Sequence, residues 1–368
     1  MRLGRPVLRP ASALVVVLAP TLAGCGLFDR GSSVEEAFEY VPADTYQVRF
    51  ADREAWAERI STDDLDPRDL SESDVEDYLG AALEHSDDAV SFTELSPHLR
   101  AMRDAPFNDV DVQWEIQATW GDPDEPGGGS AFVWKVGDDV DFDALAEDLV
   151  DKGYDDQGDG DLAIYSTDVS EASETGKHGG VYPLVMSNVL LDEDEQIVAG
   201  SISSPEPLRD VADVITDDAD SLADDGRMND LLDAADGDPE LALMTTGGEA
   251  GCALGGRLDE RQRAIYDDLG RPEARALLVY GEDPEVLLAL QYDSDDAAED
   301  DVAAREDLVQ DGVDPITAQP FAELGDFDLE RAGDLVLIAE DFAGGAASAV
   351  QAEQSGGGPG ACTRGSTD

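Results

Sequence analysis

Residues 111–120, DVQWEIQATW, alternate apolar and polar side chains without a break. Val112, Trp114, Ile116, Ala118 and Trp120 point one way, and Asp111, Gln113, Glu115, Gln117 and Thr119 the other. A period of two is the mark of a strand with one buried and one wet face. Such strands belong to antiparallel sheets, because the strands of a parallel sheet are covered on both faces and read as continuous apolar runs. The chain is therefore expected to build antiparallel sheets with packed helices, an α+β fold.

The neighbouring segments extend this reading. TYQVRF sets Tyr46, Val48 and Phe50 against Gln47 and Arg49, and the turn PDEPGGGS leads into a further strand, SAFVWKV. DFDALAEDLVDKGY is expected to be a helix, with Asp141 as N-cap, Phe142, Leu145 and Leu149 on one stripe, and Gly153 as its stop. Ser204 and Pro205 open another, with the stripe Leu208, Val211, Ala212 and Ile215. A second pass of similar order starts near residue 237. FVWKV, helix, Gly-Tyr in the first half matches LLALQYD, helix, Gly-Val in the second. The spacing predicts two similar lobes produced by an internal duplication, over 38–236 and 237–350, followed by a Gly-rich tail, 351–368. In the second copy the helix stripe Ala298, Val302 and Val309 is interrupted by Arg305.

The N-terminal segment carries three arginines (Arg2, Arg5, Arg9), a short apolar run, and then Leu22-Ala23-Gly24-Cys25. This resembles bacterial lipoprotein signal peptides, which are cleaved before a cysteine that then carries acyl chains. The resemblance implies a signal peptide over 1–24, a lipidated Cys25 with a tether over 25–37, and anchorage at the outer face of the cytoplasmic membrane. Each buried acyl methylene contributes about 0.8 kcal/mol, so two or more chains on one cysteine hold a soluble body on a bilayer. Outside the cytoplasm the remaining pair, Cys252 and Cys362, is expected to form a disulfide, which would tie down the tail SGGGPGACTRG. The lipobox, the PADT-type first strand, the DFDALAEDLVDKGY helix, the block from ARALLVYG to DDAAEDDVAAREDLV and the late cysteine together look like a group of actinobacterial lipoproteins. That resemblance implies surface anchorage and no particular activity.

Charge narrows the partners. The whole chain carries −63, and removal of three leader arginines leaves 20 basic against 86 acidic residues, or −66. Of the acids 57 are Asp, and the only lysines are Lys135, Lys152 and Lys177. Acids spread along the whole chain describe a uniformly acidic surface, which repels nucleic acid and suits concentrated salt.

Catalytic motifs are sparse. His85, His98 and His178 fall in separate segments without ligand spacing, and no GxSxG elbow occurs. Cys252 lies in GGEAGCALGG, which lacks the Lys-Ser/Thr ending of a phosphate loop. DDQGDGDLAIYS departs from a calcium loop at Gln157 and Ser166. No cofactor or metal is expected. The aromatic residues give the remaining hint: Trp56, Trp114, Trp120 and Trp134 all fall in the first half, and Trp114, Trp120 and Trp134 form a candidate platform for stacking a glycan. The expected function is a lipid-anchored extracytoplasmic binding or envelope-structural protein, with cell-wall glycan or an envelope protein as partner. The alternative is a cell-wall polysaccharide hydrolase using paired carboxylates.

Overall fold

The alternating segments become strands that join in register. In the computed structural model, which describes residues 32–85, 91, 93–121, 128–158, 162–168, 181–234, 237–247, 260–281 and 286–362, they build one twelve-stranded sheet in which every pair is antiparallel. The first seven strands are β1 (Thr45–Asp52), β2 (Val112–Trp120), β3 (Ser130–Val136), β4 (Asp155–Asp156), β5 (Ala163–Ser166), β6 (Asn188–Asp192) and β7 (Ile197–Ser201). The other five are β8 (Leu241–Thr246), β9 (Ala274–Val279), β10 (Val286–Gln291), β11 (Gly325–Ala332) and β12 (Leu335–Phe342). Their order across the sheet is β11-β12-β10-β9-β8-β1-β2-β3-β7-β6-β5-β4.

The helices in chain order begin with α1 (Ser33–Phe38), α2 (Arg53–Arg59), α3 (Glu72–Glu84), α4 (Leu99–Met102), α5 (Phe142–Asp151) and α6 (Glu206–Ile215). They continue with α7 (Gly226–Asp233), α8 (Glu260–Asp267), α9 (Asp295–Asp311), α10 (Phe321–Leu324) and α11 (Gly345–Gln354). Helix α5 follows its sequence signals: the Asp141 carboxylate accepts from Ala144 N at 2.9 Å, Phe142, Leu145 and Leu149 are buried, and Gly153 takes the left-handed conformation after the last turn. Helix α1 is closed by a capping box between Ser32 and Glu35 and buries Val34, Ala37 and Phe38 on the sheet. The expected tether over 25–37 thus gives way to folded chain from Ser32 onward.

Both faces of the sheet are covered. On the first face Val48, Phe50, Trp114, Ile116, Ala118 and Met244 pack beneath α1, α6 and α7. On the second face Phe132, Trp134 and Val136 pack against α5, and Leu288, Leu290 and Ile338 against α9 and α11. The polar side of β2 accordingly lies beneath other chain over part of its length.

The two halves read alike outward from the β1–β8 junction, as β1-β2-β3-β7-β6 on one side and β8-β9-β10-β12-β11 on the other. They are not separate lobes, because β1 pairs with β8 from Gln47–Thr245 to Ala51–Leu241 and makes the sheet continuous. Nor does the shared strand order establish an internal duplication. The correspondence fails at the helix after the last strand of each half: α6 covers the first face and α11 the second.

Candidate functional site

The register brings polar side chains together at the middle of the second face. Arg49 on β1 lies opposite Gln117 on β2 and Leu243 on β8, and Thr245 on β8 lies opposite Gln47 and Arg275. The helices of the two halves stop short of this seam and leave a groove of about 190 Å³, lined by Gln47, Arg49, Thr245, Arg275, Glu353 and Gln354 among others. Arg49 Nη1 donates to Gln117 Oε1 at 3.1 Å, and Arg275 Nη2 donates to Glu353 Oε2 at 2.6 Å. The other Glu353 oxygen accepts from Gly360 N at 2.9 Å. The Thr245 hydroxyl is buried without a hydrogen-bond partner.

Behind this groove Glu340 is buried, and neither of its carboxyl oxygens has a partner. Burial first, and then the neighbouring Glu353 carboxylate, hold its pKa well above the ordinary range, against the opposing pull of Arg275. Burial pushes Glu353 up as well, but Arg275 and the Gly360 amide oppose it, so of the two carboxyl groups Glu340 is the one held up with no hydrogen-bond partner.

A second, larger cleft of about 430 Å³ opens in the first half, with Arg53, Tyr78, Asp109, Asp111 and Gln113 on its walls. Its inner wall is a closed network. Arg53 Nη2 donates to Asp109 Oδ2 at 3.0 Å and to the Tyr78 hydroxyl at 2.7 Å, and Nη1 donates to Ser91 Oγ at 2.8 Å. Tyr78 donates to Asp109 Oδ2 at 2.5 Å, Thr93 to Oδ1 at 2.8 Å, and Ser96 also donates to Oδ2. Asp109 is thereby saturated. The remainder of the cleft adds four acids, Glu54, Glu58, Asp63 and Asp139, among apolar and small residues. Glu115, whose carboxylate accepts from Trp134 Nε1 at 2.9 Å, is pushed up to about 7, chiefly by burial, but it does not line this cleft.

The tryptophans do not form a stacking surface. Trp114 and Trp120 are 3% and 4% exposed in the core of the first face, and Trp134 is 0% exposed in the core of the opposite face. The pairing of Glu115 with Trp134 puts Trp134 on the polar side of β2, away from Trp114 and Trp120. Gly200 makes room for it, since a Cβ there would come within 2.8 Å of the ring. Turning one ring outward would expose roughly 200 Å² of apolar surface, about 5 kcal/mol at ~25 cal/mol/Å², against about 0.5–1.5 kcal/mol from a ring-stacking contact.

The tail differs most from expectation. Residues 355–362 follow α11 and are largely buried, held by more than a cysteine. Gly358 N donates to Asp314 Oδ2 at 2.8 Å, Gly360 N to Glu353, and Arg305 Nη1 to the carbonyl oxygens of Pro359 and, at 3.4 Å, Ala361. The glycines are present because carboxylates press on the backbone: a Cβ at Gly357 would strike Asp314, and one at Gly358 or Gly360 would strike Glu353. Cys362 is buried, Cys252 lies outside the described residues, and so does Cys25.

Arg305 is fully buried at the centre of α9's inward face, alongside Ala298, Asp301 and Leu308. Its Nε donates to Asp301 Oδ2 at 2.5 Å, and Asp301 also accepts from Gly270 N at 2.6 Å and from the Tyr292 hydroxyl. The residue that interrupts the apolar stripe in the sequence is thus the stripe's anchor. The one signal for it is the i, i+4 spacing of Asp301 and Arg305 on the buried side. Nothing in the sequence marks Arg275, Glu340 and Glu353, which meet only through sheet register and the packing of α11.

Among the described residues no three His, Cys, Asp or Glu side chains converge as a metal centre requires, and no helix is long and apolar enough to cross a membrane. No protein-family model, curated protein or solved structure matches the chain.

Proposed function

We propose that the protein is a lipid-anchored binding module, held by acyl chains on Cys25 at the outer face of the cytoplasmic membrane, and that the seam groove is its ligand site. The observation that carries this reading is the pair Arg49 and Arg275 in one groove of a chain with 20 basic residues against 86 acids after the leader. Glutamine, threonine and arginine side chains in a groove match the hydroxyl and carbonyl groups of a cell-wall glycan. The acidic coat suits a surface bathed in concentrated salt.

Hydrolysis has weaker support. A glycosidase needs two accessible carboxyl groups facing a bond. Here Asp109 is saturated by its donors, Glu353 is engaged by Arg275 and Gly360, and Glu340 and Glu115 are buried, which leaves Glu54, Glu58, Asp63 and Asp139 of the larger cleft as the carboxylates a hydrolase would have to use. Two measurements test the proposal. Cys25→Ser should leave the membrane fraction; retention after a salt and urea wash would place the anchor elsewhere. The released protein should co-sediment with insoluble cell-wall glycan, and Arg49→Gln should weaken that association. Equal sedimentation of both forms would remove the groove from the reading.

A further inference from the structure

We infer that the open edge of the sheet, strand β11, docks an extended basic segment of a different protein, which joins the sheet as a further antiparallel strand. The seam groove plays no part in this. The backbone of the edge, its contrast with the opposite edge, and its charge lead to it.

Strand β11 ends the sheet on one side and pairs with β12 alone, in unbroken register from Gly325–Phe342 to Ala332–Leu335. One step along the same register Leu324 O accepts from Ala343 N at 2.8 Å, so the even-numbered residues bond inward to β12. Phe327, Leu329 and Arg331 therefore turn their backbone N–H and C=O groups outward. Among the described residues no hydrogen bond reaches those outward groups. Such a row is a template for another strand, and proteins that guard it shorten the strand, bulge it, place proline on it or cover it. The opposite edge is cut to the 2 residues of β4, whereas β11 runs for 8 residues with neither bulge nor proline.

The side chains on its two faces say which strand fits. On the first face Asp326, Asp328 and Glu330 are exposed, and among the described residues none of the three has an ion pair or a side-chain hydrogen bond. On the second face Phe327 and Leu329 are half-buried, with the Phe327 ring edge-on to Phe321 and Phe342. Residues directly opposite one another on paired strands share a face, where opposite charges attract and like charges repel. Two copies of β11 paired along their length set acids against acids, as Asp326 against Glu330, and nowhere in this chain do three basic residues occupy alternate positions. The occupant is therefore not a second copy. A guest with lysine or arginine at every second residue, and apolar side chains between, meets the three carboxylates on one face and extends the Phe327–Leu329 surface on the other. The acids that repel a copy select this guest.

The test is fluorescence-anisotropy titration of labelled, end-blocked peptides with the Cys25→Ser protein. The probe alternates four lysines with three valines. It should bind, and an isomer with its lysines contiguous should bind about tenfold more weakly. Any polycation is drawn to so acidic a chain, so the backbone gives the sharper readout. In antiparallel pairing each valine lies opposite Phe327, Leu329 or Arg331 with its amide aimed at β11. N-methylation of the valines should cost about tenfold, and N-methylation of the lysines, whose amides point away, should cost little. Leu329→Pro removes an outward N–H but no bond to β12 and should weaken the probe about tenfold; Asp328→Asn, which keeps the edge, should weaken it severalfold. Both variants must keep the parent's far-UV circular dichroism. Arg49→Gln should leave the probe's binding unchanged, which separates this edge from the groove. Equal binding of the two isomers, equal losses on methylating valine and lysine amides, or no binding would overturn the inference. A dimer of the protein alone, dissociated by Leu329→Pro in sedimentation, would overturn it in favour of a second copy.

Discussion

Two buried guanidinium clusters, one in each half, solve the same problem with different remainders. In the first half Arg53 pins α3, the segment around Ser91–Ser96 and the turn at Asp109 to the sheet; its carboxylate partner is saturated, with Tyr78, Thr93 and Ser96 as further donors. In the second half Arg305 and Arg275 face three carboxyl groups, Asp301, Glu353 and Glu340. Asp301 and Glu353 pair, and Glu340, without a hydrogen-bond partner, has its pKa pushed well up by burial. A buried ion pair stabilises little by itself, but removing one partner strands a charge. The first cluster can lose its guanidinium and still solvate Asp109 with hydroxyls. The second cannot, because Arg305 also serves backbone carbonyls of the tail. The carboxyl group without a hydrogen-bond partner lies beside the groove that carries the proposed ligand site, and the saturated Asp109 lies beside the larger cleft.

The comparison can be broken most directly at Arg305. Arg305→Met should destabilise the protein by about 3–5 kcal/mol in urea unfolding and expose the amides of Gly358, Gly360 and Ala361 to hydrogen exchange. A loss below about 1 kcal/mol would show that the tail is held some other way. Arg53→Met should cost less, toward the lower end at about 3 kcal/mol, because Asp109 keeps three hydroxyl donors. A larger loss than that of Arg305→Met would reverse the contrast between the clusters.

Protonation sharpens the same contrast. The folded-state pKa of Glu115, about 7, is raised above its ordinary value, so its contribution to stability is full below about 4.5 and lost as pH rises through 7. The loss amounts to at most about 3 kcal/mol for such a shift. Glu115→Gln keeps an acceptor for Trp134 and should flatten the fall in stability over that window. Glu340→Gln should likewise lessen the fall in stability as pH rises, since the Glu340 pKa is raised in the same sense by burial and by Glu353. Parallel pH profiles for wild type and Glu340→Gln would mean that the second cluster holds no surplus proton.

Smaller effects define the surface. Raising KCl from about 0.01 to 1 M shortens the screening length from about 30 to 3 Å, and should raise the melting midpoint of wild type and all four variants together, because buried pairs are screened far less than the coat. A midpoint that stays flat with salt would remove self-repulsion from the account. The exposed pair Arg331–Glu299, at 3.9 Å, is the low end of the scale. Arg331→Ala should change stability by less than about 0.5 kcal/mol.

Some of this was legible residue by residue. The alternation of 111–120 announced β2 and its faces, and Asp141 and Gly153 bounded α5. These features are local: period, cap and stop depend on neighbours within a few residues. The candidate site was not legible, since Arg49, Thr245, Arg275 and Glu353 come from four segments spread over some three hundred residues. In a chain with 86 acids no spacing distinguishes the carboxylate that will be buried.

The amino-acid sequence by itself determined an acidic chain, an antiparallel sheet with packed helices, and the expectation of a lipid anchor, because composition, alternation and the lipobox are properties of short segments. Tertiary structure decided that two expected lobes share one sheet, that Arg305 anchors a helix it appeared to break, and that residues 356–362 of the Gly-rich tail are buried. It also placed Trp134 on the opposite face from Trp114 and Trp120. The physical reason is common to all four. Whether a polar or aromatic side chain is buried depends on partners that register and packing deliver from distant segments, and the free energy of burying it changes sign with their presence.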